Sequence, residues 1–329
     1  MIIAGIDEAG YGPLLGPLIV GCTAFEVPET PVDSPQEADG ELPCLWTRLS
    51  KVVSKTRSKS GRKLHINDSK LVYSSGAGLK ELERSVLAMS AAWREWGDGL
   101  DALVKQVAAH ALPDMAESNW YRPAVAERFP ISQEGMPIKL FANALRLEMD
   151  RAKTRCVYLA ARVVLEKPLN RLFDQTRNKS NTLFSLAAIH LDYLLREYGE
   201  RNLVIFCDRQ GGRSRYGPLL RTMFEDWSLE IVREVEGRSE YKLHRGGHVA
   251  QILFCEKAEA RCLSVAMASM VSKYLREALM HRFNAWWLER QPGLLPTAGY
   301  YSDGMRFLTD IGPLRKKLGI ADGNLIRSR

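Results

Sequence analysis

An α/β fold, a mixed sheet flanked by helices, is what this sequence predicts, and three observations predict it. Short apolar runs at residues 2–6, 18–25 and 203–207 have the length and content of buried strands. Stretches at 78–96, 139–153 and 181–198 are helical in character, with apolar residues recurring at helical spacing in the first and last. The run at 203–207 is apolar without interruption, as in a central strand covered on both faces.

Taken in order, the first run ends in two adjacent carboxylates, Asp7 and Glu8, and then in Gly10 and Gly12, which break the strand. Side chains alternate faces along a strand, so the two acids serve one site only if the backbone bends there, and Gly10 permits a bend. Residues 18–25 follow closely enough to pair as an antiparallel neighbour. On these residues alone, a hairpin whose acids cap a turn is an equal reading. Residues 27–43, rich in proline and acid, read as a solvated loop. The stretch KTRSKSGRKL at 55–64 reads first as a charged surface loop, and it runs into Asp68, Ser69 and Lys70.

A helix follows over 78–96, with Leu79, Leu82, Val86, Leu87, Met89 and Trp93 on one stripe. Residues 97–137 read as an irregular excursion with short helices. A helix over 139–153, a strand over 156–165 and a helix over 181–198 come next. Asp208 stands at the carboxyl end of the central strand, where open α/β sheets gather ligands; a capping aspartate is the plain alternative. Residues 211–247 form an arginine-rich excursion with a strand over 229–235. His244 and His248 flank Arg245, Gly246 and Gly247, a pattern read as a basic loop near phosphates in preference to a metal pair. In the block 259–287, Ser269, Lys273 and Arg276 recur at i, i+4 and i+7 on a helix and share a face. An ion-paired surface lysine is the alternative for Lys273. The chain closes with a helix running into a basic stretch at 314–319.

The 329 residues suffice for one large domain or two modest ones, and 46% hydrophobic residues suffice for a core. A net charge of +7 suits a polyanionic partner. The six cysteines are scattered, without a CxxC pair, which excludes a disulfide scaffold or a zinc site and fits a reducing compartment. The N-terminus meets Asp7 too soon for a signal peptide, and no apolar run approaches the ~20 residues that span a bilayer. A cytoplasmic protein is expected. No Ser/His/Asp or Cys/His arrangement and no phosphate-binding lysine loop is present.

The string Asp7-Glu8-Ala9-Gly10-Tyr11-Gly12, followed by Pro13, Leu14, Gly16 and Pro17, resembles the opening of type 2 ribonucleases H, the ribonucleases HII and HIII. The resemblance continues in chain order through Asp68-Ser69-Lys70, Asp208, Glu259, the helix bearing Ala268, Ser269 and Lys273, and Gly299-Tyr300. Two residues depart from it. Tyr11 stands where the family has arginine, and Glu259 matches the HIII branch where HII has aspartate.

The resemblance implies a ribonuclease H-like mixed five-stranded sheet in a catalytic domain at 1–280, with insertions at about 26–62, 97–138 and 211–248. A C-terminal helical extension at 281–329 would grip the substrate. It implies a monomeric endonuclease that hydrolyses the RNA strand of RNA/DNA hybrids with two Mg²⁺ or Mn²⁺ ions. Asp7, Glu8, Asp208 and Glu259 would be the catalytic acids and metal ligands. Gly10, Tyr11, Gly12, Asp68, Ser69, Lys70, Ser269, Lys273, Arg276 and Tyr300 would bind the nucleic acid. Physical chemistry agrees, because hard ions take oxygen ligands and phosphodiester hydrolysis needs charge relief. The alternative is a nucleic-acid-binding protein of this fold whose catalysis is lost or redirected to another structure, such as a DNA junction.

Overall fold

The computed structural model describes residues 1–29, 42–74, 78–95, 97–123, 127–133 and 135–328. Most of the loop expected at 27–43 lies outside them. Strands β1 (Ile2–Ala9) and β2 (Leu18–Glu26) pair antiparallel. A small lobe follows: helix α1 (Leu45–Arg48), the short parallel pair β3 (Val53–Ser54) and β4 (Leu64–His65), and α2 (Ser69–Ser74). Helices α3 (Leu79–Trp93), α4 (Leu100–Ala108), α5 (Leu112–Glu117) and α6 (Gly135–Arg151) lead to β5 (Arg155–Val164). Then come α7 (Glu166–Thr176), α8 (Lys179–Tyr198), β6 (Leu203–Asp208) and α9 (Gly217–Met223). Strands β7 (Ser228–Val235), β8 (Arg238–Arg245) and β9 (His248–Cys255) precede α10 (Ala258–Arg261) and the long α11 (Leu263–Arg290). Helices α12 (Tyr301–Asp310), α13 (Gly312–Lys317) and α14 (Asp322–Leu325) end the chain.

The sheet is mixed, in the order β5-β2-β1-β6-β9-β8-β7, with β1, β6 and β9 parallel. It has seven strands where five were expected, because the excursion at 211–247 adds the antiparallel hairpin β7–β8 to its edge. Strand β8 escapes a reading from sequence because only Tyr241 and Leu243 supply its large apolar groups, between charged residues. The expected basic loop near phosphates is the β8–β9 turn. Since His248 begins β9 and Cys255 lies opposite Asp208, that turn sits at the sheet end away from the acids. His244 pairs with Glu230 across the hairpin rather than with His248.

Period-two alternation sends side chains of one strand to two cores. Ile3 of β1 and Val204 and Phe206 of β6 face the side covered by α11; Ile2, Ala4, Ile6, Leu203, Ile205 and Cys207 face α8. Burial on both faces explains why these strands read as continuous apolar runs. Helix α11 lies against β1 and β2 at a distance only glycine allows. A Cβ on Gly5 would fall 2.6 Å from Val265 Cα, and one on Gly21 would fall 2.5 Å from Ala268 O and Ser272 Oγ. The contact is fastened by Thr23 Oγ1 donating to Ser264 O (2.8 Å) and Ser272 Oγ donating to Asp7 O (3.1 Å).

The boundary expected at 280 falls within α11, which is continuous through it. The C-terminal helices join the rest through aromatic packing of Phe307 on Phe283 and Trp287, with Trp120 beside them. The helix expected to reach 96 ends at Trp93, where Arg94 turns extended. No helix among the described residues is long and apolar enough to cross a membrane.

Candidate active site

Three chain segments bring four carboxylates to one end of the sheet. Strand β1 stays paired through Ala9, opposite Ile19, so the bend expected between Asp7 and Glu8 does not occur. The strand breaks one residue later, at Gly10, whose φ of 85° lies in the left-handed region. Both acids nevertheless line one cavity, because they sit at the strand's carboxyl terminus, where the sheet ends. Asp208 ends β6 beside them. Glu259 comes from α10, a single turn that left-handed Lys257 precedes and extended Cys262 sets off from α11.

That cavity has a volume of about 290 Å³ and is lined by Asp7, Glu8, Gly10, Tyr11, Gly12, Asp68, Ser69, Lys70, Asp208, Glu259, Ser269, Lys273, Arg276 and Tyr300, with Ala9 and Pro13 beside them. Every residue expected at the site is therefore in its wall. Their local roles differ. Asp68 Oδ1 accepts the Lys70 N–H (2.8 Å) and starts α2, a capping duty. Ser269 Oγ donates to Ser69 Oγ (3.0 Å), linking α11 to α2. Lys273 Nζ is ion-paired with Glu277 at 2.5 Å and lies over the Tyr73 ring, so the i, i+4 ion pair holds in this structure. Arg276 is 1% exposed and donates to Ala298 O (2.8 Å) beneath Tyr300, which is 52% exposed. Of the two adjacent tyrosines, Tyr300 faces the cavity. The Tyr11 phenol crosses to the loop after β6, where its Oη would lie 3.3 Å from a Cβ on Gly211.

The electrostatics are those of crowded acids. Burial, then Glu8 and Asp208, push the Asp7 carboxyl well above the usual range, opposed by the Ser269 hydroxyl and the Glu8 N–H. Glu8 is pushed up to about 7, by burial and then by Asp208, with Lys70 opposing. Asp208 and Glu259 are raised by burial. Among the described residues no three carboxylates, imidazoles or thiols are drawn into a ready-made cage. The donor set nonetheless fits a hard divalent cation. It is all oxygen, its members repel one another, and Glu259 Oε2 is buried with no hydrogen-bond partner among the described residues. A cation among these groups would relieve both the repulsion and the orphaned oxygen.

A clamp on the loop at 10–17 had no signature in the sequence. Arg327 is 3% exposed, and its guanidinium donates to Gly10 O and, at 3.1 Å, to Tyr11 O; its own N–H donates to Leu14 O. Gly299 O accepts from Leu14 N and Leu15 N, and buried Glu166 Oε1 accepts from Gly16 N and Tyr121 Oη. Burial and neighbouring Arg276 push Arg327 down to about 10. Arg327→Ala leaves two loop carbonyls without their donor, so a loss of about 1–3 kcal/mol is expected. Hydrogen exchange at Leu14 and Leu15 should quicken. Unchanged stability and protection would show that the clamp is not holding the loop.

No family model matches the chain, and no curated protein matches it. Among solved structures it is similar to ribonuclease H2 from Pyrococcus horikoshii, at 14% identity over 99% of this chain and 92% of that one, with a TM-score of 0.45. It is also similar to the RNase HII structure solved in complex with PCNA from Archaeoglobus fulgidus, at 14% identity over 100% and 95%, with a TM-score of 0.42. A third is RNase H3 from Aquifex aeolicus, at 13% identity over 99% and 71%, with a TM-score of 0.42. At such identities and scores the similarity assigns no chemistry to any residue.

Proposed function

We propose that this chain is a divalent-metal-dependent endonuclease that cuts the RNA strand of RNA/DNA hybrids. The observation that carries the reading is the convergence of Asp7, Glu8, Asp208 and Glu259, from three separate elements, on one cavity that also holds Lys70, Lys273 and Tyr300. The ordered sequence resemblance supports the same reading. The four carboxylates would hold the cations. A bound pair of divalent ions supplies an activated water and offsets charge on the phosphate and the leaving oxygen. Ser269 orients the α11 side of the site, through Ser69, beside Asp7. Lys70, exposed at the start of α2, offers a cation to a phosphate, and Tyr300 offers a ring face to a sugar.

The loop of Gly10, Tyr11 and Gly12 approaches the substrate strand, where RNA differs from DNA by its 2′-hydroxyls. Tyrosine makes no charged contact there, unlike arginine. A continuous RNA strand offers several hydroxyls, whereas a ribonucleotide embedded in DNA offers one. Long hybrids should therefore be cut much faster than the single ribonucleotide, and Tyr11→Arg should narrow the gap. Equal cutting of both by the unaltered protein would overturn the role given to Tyr11. Cutting of neither would overturn the nuclease reading.

A further inference from the structure

The segment at 55–63 is strongly charged and has no part in the cavity. Its nine residues include Lys55, Arg57, Lys59, Arg62 and Lys63, and no acid. The structure fastens it to the wall that carries Glu259. Lys55 Nζ donates to Ala260 O (3.1 Å), one residue beyond Glu259, and packs over the Trp46 ring at 3.9 Å. Lys55 O accepts from Asn67 Nδ2 (2.9 Å) and lies 3.0 Å from His65 Nε2, so the residues that lead into Ser69 and Lys70 hold the base of the segment. A turn closed by Gly61 N–H donating to Ser58 O (3.0 Å) shapes its middle. Lys63 Nζ donates to Ser50 O (2.6 Å) at its far end. Lys59, within that turn, and Arg62, just after it, are exposed.

Like charges gathered on a fixed base repel one another, a cost that a polyanion laid against them removes. We propose that the segment at 55–63 is a second phosphate-contact surface, which holds the nucleic-acid backbone on the Glu259 side of the cleft, away from the bond that is cut. The proposal rests on the reading of the cleft as a nucleic-acid site. Lysine, arginine and serine are the usual donors to phosphate oxygens, and such contacts position a duplex without reading its sequence. Lys70, in the cavity wall, follows the segment in the chain, and Asn67 and His65 tie the base of the segment to the stretch that leads to it.

The test is the double variant Lys59→Ala/Arg62→Ala, compared with the unaltered protein for hybrid binding by fluorescence anisotropy in EDTA across a salt series. Two hybrids are used, one short enough to stay within the cleft and one long enough to reach past it. On the long hybrid the variant should bind about ten-fold more weakly at low salt. Its log–log salt slope should be shallower by about two, at about 0.9 per lost phosphate contact. The short hybrid should not distinguish the two proteins. An unchanged slope and affinity on the long hybrid would overturn this surface while leaving the cleft reading intact. Failure of the unaltered protein to bind either hybrid would overturn the cleft reading and this surface with it.

Discussion

Asp7→Asn should abolish cleavage of an RNA/DNA hybrid, by a factor on the order of 10³ or more, as when one member of a catalytic unit is removed. The folded chain should survive, and even gain. Asn Oδ1 can still accept the Glu8 N–H, which in the native chain donates to Asp7 Oδ1 at 2.7 Å. Asp7 is 8% exposed, and burial with Glu8 and Asp208 raises its carboxyl above the value it has in the unfolded chain. The folded state therefore keeps a proton that the unfolded state releases. Stability from this group is greatest below its unfolded value, near 3.8, and falls as pH rises through the elevated folded one. Asparagine does not ionise, so the advantage of the variant should grow from acid to neutral pH. Thermal unfolding in EDTA at two pH values, run beside the cleavage assay, measures both effects. Retained cleavage would remove Asp7 from the site. A variant less stable at every pH would mean that the carboxylate is structural.

Gly5→Ala should be strongly destabilising. Its Cβ would meet the α11 backbone at Ser264 and Val265, and backbone cannot swing aside as a side chain can. Replacing glycine by alanine reduces unfolded-chain entropy, a gain of about 0.4–1 kcal/mol where the space is free. Overpacking a tight interior costs about 1–3 kcal/mol and occasionally more, so the clash wins. A net loss of about 2 kcal/mol or more is expected from chemical denaturation. Gly135→Ala, where an added Cβ meets nothing within 4 Å, is the control and should be nearly neutral. Equal stability of the two variants would show that α11 and β1 are not in the close contact described.

Strands β1, β2 and β6 were legible because burial on two faces demands apolar runs, and Asp7, Glu8 and Asp208 stand out as charges at the ends of those runs. Strand β8 was illegible because it buries one narrow face among charged residues. The break between α10 and α11 is made by Cys262 turning extended, at φ −128° and ψ 124°, a conformation open to any residue and so without a mark in the sequence. Lys273 and Glu277 stand four residues apart, so their ion pair was visible as spacing, yet the sequence does not say that it forms in preference to a phosphate contact. Arg276 was legible as a member of the site face but not as a buried tie to Ala298. The Arg327 clamp was hidden for a different reason: it joins a side chain to backbone carbonyls more than 300 positions away, and such a bond leaves no periodicity to read.

The most direct measurement is to incubate the purified chain with end-labelled RNA/DNA, RNA/RNA and DNA/DNA duplexes, each with Mg²⁺, with Mn²⁺ and with EDTA. The expected result is internal cleavage of the RNA strand of the hybrid alone, in at least one of the two ions and not in EDTA. Cleavage that persists in EDTA, cleavage of all three duplexes alike, or no cleavage of the hybrid in either ion would contradict the assignment of the four acids to a metal-dependent hybrid nuclease.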